Sequence, residues 1–262
     1  MLRSVLQQVR WELLTYRRDP SAVLFTLALP VMFLVLFVGI FGNVEFAPGL
    51  RFAALQVPGF VVLGVTSATF LPLCIGLVEK REAGTLKRLR GTPLPASHFV
   101  AGVVGASAVL SVLLTAVLVT TGVVGYDVGL LAAGVPGALL ALLLGGATMS
   151  ALGVAMTGLV GTPQAANAVA NLAVLPLYFI SGVFIQETQL PPFLLRVADV
   201  FPVRAFFQAL KPAFDPRAAD AGVPWDSLAI LLAWCVVGLA VAARTFRWEP
   251  ARTGEAPRPS PR

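Results

Sequence analysis

Charge is scarce in this chain of 262 residues: Asp, Glu, Lys and Arg together make up 12% of it, against 57% hydrophobic residues, and the mean hydropathy is +0.85. An ordinary soluble domain carries about 25% charged residues, so that class is excluded and a membrane protein is indicated. Histidine occurs once, as His98, and cysteine twice, as Cys74 and Cys235. His98 has no Cys or His neighbour and no His-Glu-x-x-His occurs, so no metal site is expected. Both cysteines fall inside apolar runs and read as small packing residues. Also absent is Gly-x-x-x-x-Gly-Lys-Ser/Thr, the loop that cradles nucleotide phosphates, so the chain is not expected to be its own ATPase. No catalytic residue can be named, and the chain is not expected to be an enzyme.

What fills the sequence is apolar runs of roughly twenty residues, the length that carries a helix across a hydrocarbon core of about 30 Å. They fall at 21–42, 56–78, 99–124, 130–158, 165–185 and 226–244. None alternates as barrel strands do. The expected fold class is all-α, a polytopic membrane protein with six transmembrane helices. Residues 1–20 place Leu2, Val5, Leu6, Val9, Leu13 and Tyr16 on one helical face, which predicts an amphipathic helix lying in the membrane interface. The run after it exceeds a signal peptide's apolar region of about 7 to 15 residues, so the first span is expected to stay. The organisation predicted is therefore an interfacial helix over 1–20, a six-span domain over 21–244 and a disordered Pro- and Arg-rich tail over 245–262.

Basic residues exceed acidic ones by six. Fourteen of the nineteen fall in the N-terminal segment, the stretch after the second span and the tail; five fall on the other side. This places both termini in the cytoplasm and assigns the surplus to loops rather than to nucleic acid. The longest outer segment contains FIQETQLPPFLLRVADVFPVRAFFQAL, expected to form short interfacial helices broken at Pro191, Pro192 and Pro202. Only three of the basic residues are Lys, a bias that points to a GC-rich bacterium and hence to a bacterial plasma membrane.

No carboxylate needs to sit at membrane depth, which argues against an ion-coupled carrier. The polar groups that do sit there are uncharged. Asn167 and Asn171, four apart, share a helix face; Thr66, Ser67 and Thr69 mark the second span. Helix-to-helix hydrogen bonding is their first reading; lining a substrate path is the second, with Asn167, Asn171, Thr66 and Thr69 as its candidates. Gly145, Gly146, Gly153 and Gly158 read as close-packing sites in the fourth span.

One stretch breaks the apolar pattern. EKREAGTLKRLRGTPLP, residues 79–95, has seven charges in its first twelve residues. At about 3 kcal/mol each they cost roughly 20 kcal/mol in a bilayer, so the stretch must lie outside it. Gly84 and Thr85 read as a helix start with Thr85 as the cap. Leu86 and Leu89 then lie three apart on one exposed face, and Thr92 and Pro93 end the helix. Pattern alone leaves two roles open: docking into a partner's groove, or resting on lipid.

Glu79, Glu82, Gly84, Thr85, Leu86, Leu89, Thr92 and Pro93 fill the pattern Glu-x-x-Glu-x-Gly-Thr-Leu-x-x-Leu-x-x-Thr-Pro. In this position, after the second of six spans, the pattern resembles the cytoplasmic signature of type-2 ATP-binding-cassette (ABC) export permeases, and the similarity runs over essentially the whole chain. Arg90-Gly91 before Thr92 departs from it. The resemblance implies a permease subunit that pairs with a second copy, as a homodimer, and binds two copies of a cytosolic ATPase, which carries the ATP and Mg; the permease itself binds no cofactor. It implies that those eight residues form the ATPase-coupling region, within a coupling loop over 79–98, and that residues 183–210 form external re-entrant helices. An amphipathic drug-like or lipid cargo moving outward is the expected substrate, a polysaccharide or lipid-linked glycan the alternative. An ATP-independent carrier or channel is the rival of another class.

Overall fold

The computed structural model describes residues 2–18, 20–47, 49–91, 96–218 and 222–246. Thr92, Pro93 and the tail from 247 onward, all of which carried expectations, lie outside them. The described residues form ten α-helices: α1 (Leu2–Arg18), α2 (Pro20–Phe41), α3 (Phe52–Glu82), α4 (Thr85–Arg90), α5 (Ala96–Thr120), α6 (Val135–Thr157), α7 (Pro163–Ile180), α8 (Pro192–Ala198), α9 (Pro202–Leu210) and α10 (Trp225–Thr245). A π-helical turn, Thr121–Gly125, prolongs α5. A small antiparallel hairpin of β1 (Glu45–Ala47) and β2 (Leu50–Arg51) joins α2 to α3, with Glu45 opposite Arg51. The all-α membrane class is therefore observed.

Four of these helices are long and apolar enough to cross a membrane: α3, α5 with its π turn, α6 and α10. The helices at the first and fifth predicted crossings are α2, whose apolar stretch is Thr26–Phe41, and α7, which has 18 residues and carries Gln164, Asn167 and Asn171. Among the described residues, length and apolarity thus mark four helices as candidate crossings.

α3 is the central post. From Phe52 to Phe70 every side chain is buried except the half-buried Leu55 and Ser67, and α2, α5, α6 and α7 all pack against it. With 31 residues it is about 46 Å long at 1.5 Å per residue, so it outruns the hydrocarbon core and carries its last charged turn beyond it. α6 fits between α3 and α10 because its glycines admit their neighbours. A Cβ at Gly153 would lie 2.8 Å from the Phe70 carbonyl oxygen, one at Gly145 would lie 2.6 Å from the Phe206 ring, and one at Gly158 would collide with Thr245. Gly146 differs from the expectation: its nearest neighbour, Val65 Cγ1, is 3.9 Å away, an ordinary contact.

α1 is seated on α5, where Gln8 and Val9 lie over Gly102 and Gly105, and where the Ser4 hydroxyl and His98 Nδ1 are 2.9 Å apart. Leu6 and Trp11 face outward, more than half exposed. The break between α6 and α7, where charge gives no signal, is made by local chemistry. Thr162 caps α7, its hydroxyl accepting from the Ala165 N–H at 3.2 Å, and Pro163 occupies the first helical position, where no N–H is needed. The same rule starts α8 at Pro192 and α9 at Pro202.

The glycine geometry is testable. Gly153→Ala presses on backbone that cannot rotate away and is expected to destabilise the chain by about 1–3 kcal/mol. Gly146→Ala fills open space and gains helix propensity, so it is expected to be neutral or stabilising by up to about 1 kcal/mol. Melting midpoints of the two variants in detergent should move in opposite directions, or only the first should move.

Candidate functional site

Successive residues on a helix diverge by about 100°, so the charged end of α3 points at several neighbours at once. Lys80 turns to α1: its Nζ donates to both carboxylate oxygens of Glu12, at 2.7 and 2.8 Å, and stands 5.5 Å from the centroid of the Phe99 ring on α5. Arg81 turns inward and is only 3% exposed. Its guanidinium donates to three backbone carbonyls, of Thr157 at 2.8 Å, Val160 at 2.7 Å and Gly161 at 3.1 Å, and its Nε donates to Glu82 at 3.0 Å. Thr157 is the last residue of α6, and Val160 and Gly161 lie in the turn that follows it, so one cation ties the end of α6 and that turn to α3. Glu79 remains exposed and borders a cavity.

The chain then turns sharply. Ala83 ends α3, and Gly84 adopts φ +70°, a left-handed conformation that side-chain-bearing residues rarely tolerate. The Gly84 carbonyl accepts from the Arg88 N–H at 3.1 Å, so Gly84 caps α4 and Thr85 is already its first residue. This corrects the expectation that Thr85 is the cap: a glycine that makes the turn also supplies the first accepting carbonyl.

A second correction concerns Leu86. It is fully buried rather than exposed, packed in a cluster with Leu73 and Leu77 of α3, Phe99 and Val103 of α5, Val154 of α6 and Ala242 of α10. A short helix of six residues cannot hold itself together, and this one is held by inserting its leucine among four longer helices. The Leu89 side chain lies outside the described residues. Among the described side chains of α4, Thr85, Lys87 and Arg88 are exposed, a polar and basic set.

Beside this corner lies a cavity of about 900 Å³. Its long wall is α3 from Leu63 to Lys80, a run of about 26 Å at 1.5 Å per residue. The other walls are α2 (through Leu29, Pro30 and Phe33), α7 (through Asn171, Leu175 and Phe179) and, at the charged end, α1 through Glu12 and Tyr16. Burial pushes the Tyr16 phenol above its ordinary range, with the Glu12 carboxylate adding to the effect, so the phenol stays neutral. The far end is closed by Phe184, whose ring lies 5.3–6.2 Å from those of Phe33, Phe37, Phe60, Tyr178 and Phe179. Sequence reasoning missed Phe184 and Arg81: one is an aromatic in an aromatic-rich segment, the other a basic residue in a basic loop.

Of the four polar candidates for a path, Asn171 lines the cavity and donates to the Asn167 side chain at 2.6 Å and backbone carbonyl at 2.9 Å. Asn167 is exposed on the same face, as the spacing of four predicts. Thr66 and Thr69 do not join them. Both are fully buried and return their hydroxyls to their own helix, to the carbonyls of Val62 at 2.8 Å and Val65 at 2.7 Å. Ser67, between them, is the one that reaches the cavity.

A long-helix membrane domain with a charged, bundle-anchored corner and a deep lateral cavity has the architecture of a transport subunit. The sequence model of the ABC-2 type transporter family matches residues 4–214, most of the chain, and the chain belongs to that family. No curated protein sequence matches it significantly. The protein is thus a multi-pass membrane subunit of an ABC transporter, and its family implies an ABC ATPase partner.

Two expectations follow for the corner. Leu86→Ala should cost about 2–5 kcal/mol, as for other buried leucines, whereas Lys87→Ala should stay within about 0.5 kcal/mol. Arg81→Met leaves three buried carbonyls unpaired and should cost about 3 kcal/mol. Thermal unfolding in detergent, followed by tryptophan fluorescence, reads all three.

Proposed function

We propose that this chain is the permease subunit of an ATP-driven exporter that moves an amphipathic, drug-like or lipid-type molecule outward. The observation that carries the reading is the cavity. It runs along α3 from the charged corner to the Phe184 cluster, is lined along most of its length by aliphatic and aromatic side chains with Asn171 and Ser67 among them, and has its charged groups, Glu12, Glu79 and Lys80, at the corner end. An apolar wall about as long as a bilayer is thick suits an amphiphile better than a hydrated polysaccharide. Asn167 and Asn171 on α7, with α3 opposite, form the path in this reading; Thr66 and Thr69 act behind it in helix packing.

The energy comes from two copies of a cytosolic ATPase, which hold the ATP and Mg. In this reading the permease forms a homodimer in a bacterial plasma membrane with six crossings, both termini and the 79–98 loop in the cytoplasm, α1 in the inner interface and residues 183–210 on the outer side. The coupling region is Glu79 to Pro93. Leu86, with Arg81 beneath the corner, anchors α4 to the bundle, while Thr85, Lys87 and Arg88 face the ATPase. Because α4 is bolted to α3, α5, α6 and α10, a push on its outer face moves these helices as one body against α2 and α7, and the cavity opens.

Reconstitution separates these claims. Proteoliposomes holding the chain and its ATPase are expected to move a fluorescent amphiphile only with ATP; equal transport without the ATPase overturns the coupled reading. ATP-dependent movement of a lipid-linked glycan but of no amphiphile replaces the cargo. Lys87→Glu combined with Arg88→Glu is expected to lower ATPase co-purification at least tenfold without changing the melting midpoint, since both side chains are exposed.

A further inference from the structure

A second cavity, of about 270 Å³, lies at the other end of α3. Gln56 borders it and lies about 10 Å along the helix axis before Leu63, where the first cavity begins on α3, and the two cavities share no lining residue. The remaining walls are the segment after α7 (with Gln186, Glu187 and Thr188) and the end of α9 with the turns that follow it (with Lys211 and Arg217).

Gln56 is the unusual member. It is 4% exposed and, among the described residues, makes no hydrogen bond. Buried amides are nearly always paired, because stripping them of water without replacing its hydrogen bonds is unfavourable. The cavity is the side open to this one.

The charged groups around it are unevenly committed. Glu187 is occupied: Oε1 accepts from Gln208 at 2.7 Å and faces Arg204 Nη1 at 3.6 Å, and Oε2 accepts from Lys211 at 3.3 Å. Asp215, behind the wall, is held by the Nε and Nη2 of Arg217 at 2.9 and 2.8 Å, which keeps its carboxyl below the usual carboxylate range. The donors are not exhausted. Lys211 has three ammonium hydrogens and one acceptor here; Arg217 has five N–H groups, and those on Nη1 are unused within that pair. The Gln56 and Gln186 amides and the Thr188 hydroxyl add further N–H and O–H donors beside their own acceptor oxygens, and the carboxylate of the wall, Glu187, is already committed to Gln208 and Lys211.

The spare N–H groups that Lys211 and Arg217 keep beyond their carboxylate partners fit a ligand that is rich in acceptors and negatively charged, for which phosphate oxygens are the strongest match. We propose that this cavity binds a phosphate-type oxyanion, brought either by a phospholipid headgroup or by free phosphate. The chemistry of the site does not depend on the cargo or on ATP coupling. Only its assignment to the outer leaflet rests on the orientation proposed above.

Calorimetric titration of the full chain in a neutral detergent tests this, with dihexanoyl-phosphatidylglycerol in one arm and inorganic phosphate in the other. Binding in at least one arm is expected, weakened at least tenfold by Gln56→Glu, which puts a like charge against the anion, and by Lys211→Gln, and retained by Lys211→Arg. Elution volume and helical circular dichroism confirm that each variant is folded, and the partly exposed Lys211 keeps the test decisive if Gln56→Glu does not fold. Binding of the lipid alone assigns the headgroup as source, and binding of phosphate alone assigns a free anion. Absence of binding in both arms, or wild-type affinity in both weakened variants, overturns the proposal.

Discussion

The guanidinium of Arg81 has been taken out of water and must be paid for by oxygen atoms close at hand. Three carbonyls supply them, one on the last residue of α6 and two in the turn that follows it. Each side solves the other's problem: a helix C-terminus has carbonyls without partners, and a buried cation has donors without acceptors. The outcome is a rigid joint between the ends of α3 and α6, placed where α3 turns into α4. Lys80 adds a tie to α1 through Glu12, and Leu86 adds an apolar plug between the same helices. A stretch that interrupts the apolar sequence with charge is, in the folded chain, the place where most elements are fastened together.

The cavity is a consequence of that fastening. At the corner α3, α4, α5, α6 and α10 share a buried cluster to which α2 and α7 contribute no residue, whereas α2 and α7 pack on α3 in the larger core and line the cavity with it. The gap between them is closed by rings at the Phe184 end and by the Glu12–Lys80 pair and α1 at the other. One wall is therefore held by the charged corner, and the opposite wall is held mostly by aromatic contacts.

Several features were legible residue by residue. The cost of seven charges predicts that residues 79–90 lie outside the bilayer; Glu79, Lys80, Arg81 and Glu82 form the last turn of α3, and the other three follow the Gly84 turn in α4. Thr162 with Pro163, and Pro192 and Pro202, mark helix starts through backbone chemistry that operates whatever the surroundings. The Asn167–Asn171 pair follows from helical spacing alone. What could not be read was direction. In water an apolar side chain identifies the buried face; in a chain where lipid and core are equally apolar, α3 and α6 have no such stripe, so nothing separates Thr66 and Thr69, which face inward, from Ser67, which reaches the cavity. Leu86 was misread for a related reason. On a short charged helix a leucine can serve a partner or its own protein, and only the position of four neighbouring helices decides.

The sequence by itself determined that the chain belongs in a membrane, that its helices are long, and that one charged segment is too costly to bury in a bilayer. These follow from transfer energies and backbone geometry, which are local. Only the tertiary structure decided that Arg81 ties the end of α6 to α3, that Leu86 points into the bundle, that Phe184 ends the cavity and that Gln56 is left with an unpaired amide. Each of these involves groups far apart in sequence, as Arg81 and Thr157 are at 76 residues, and no local rule brings such groups together.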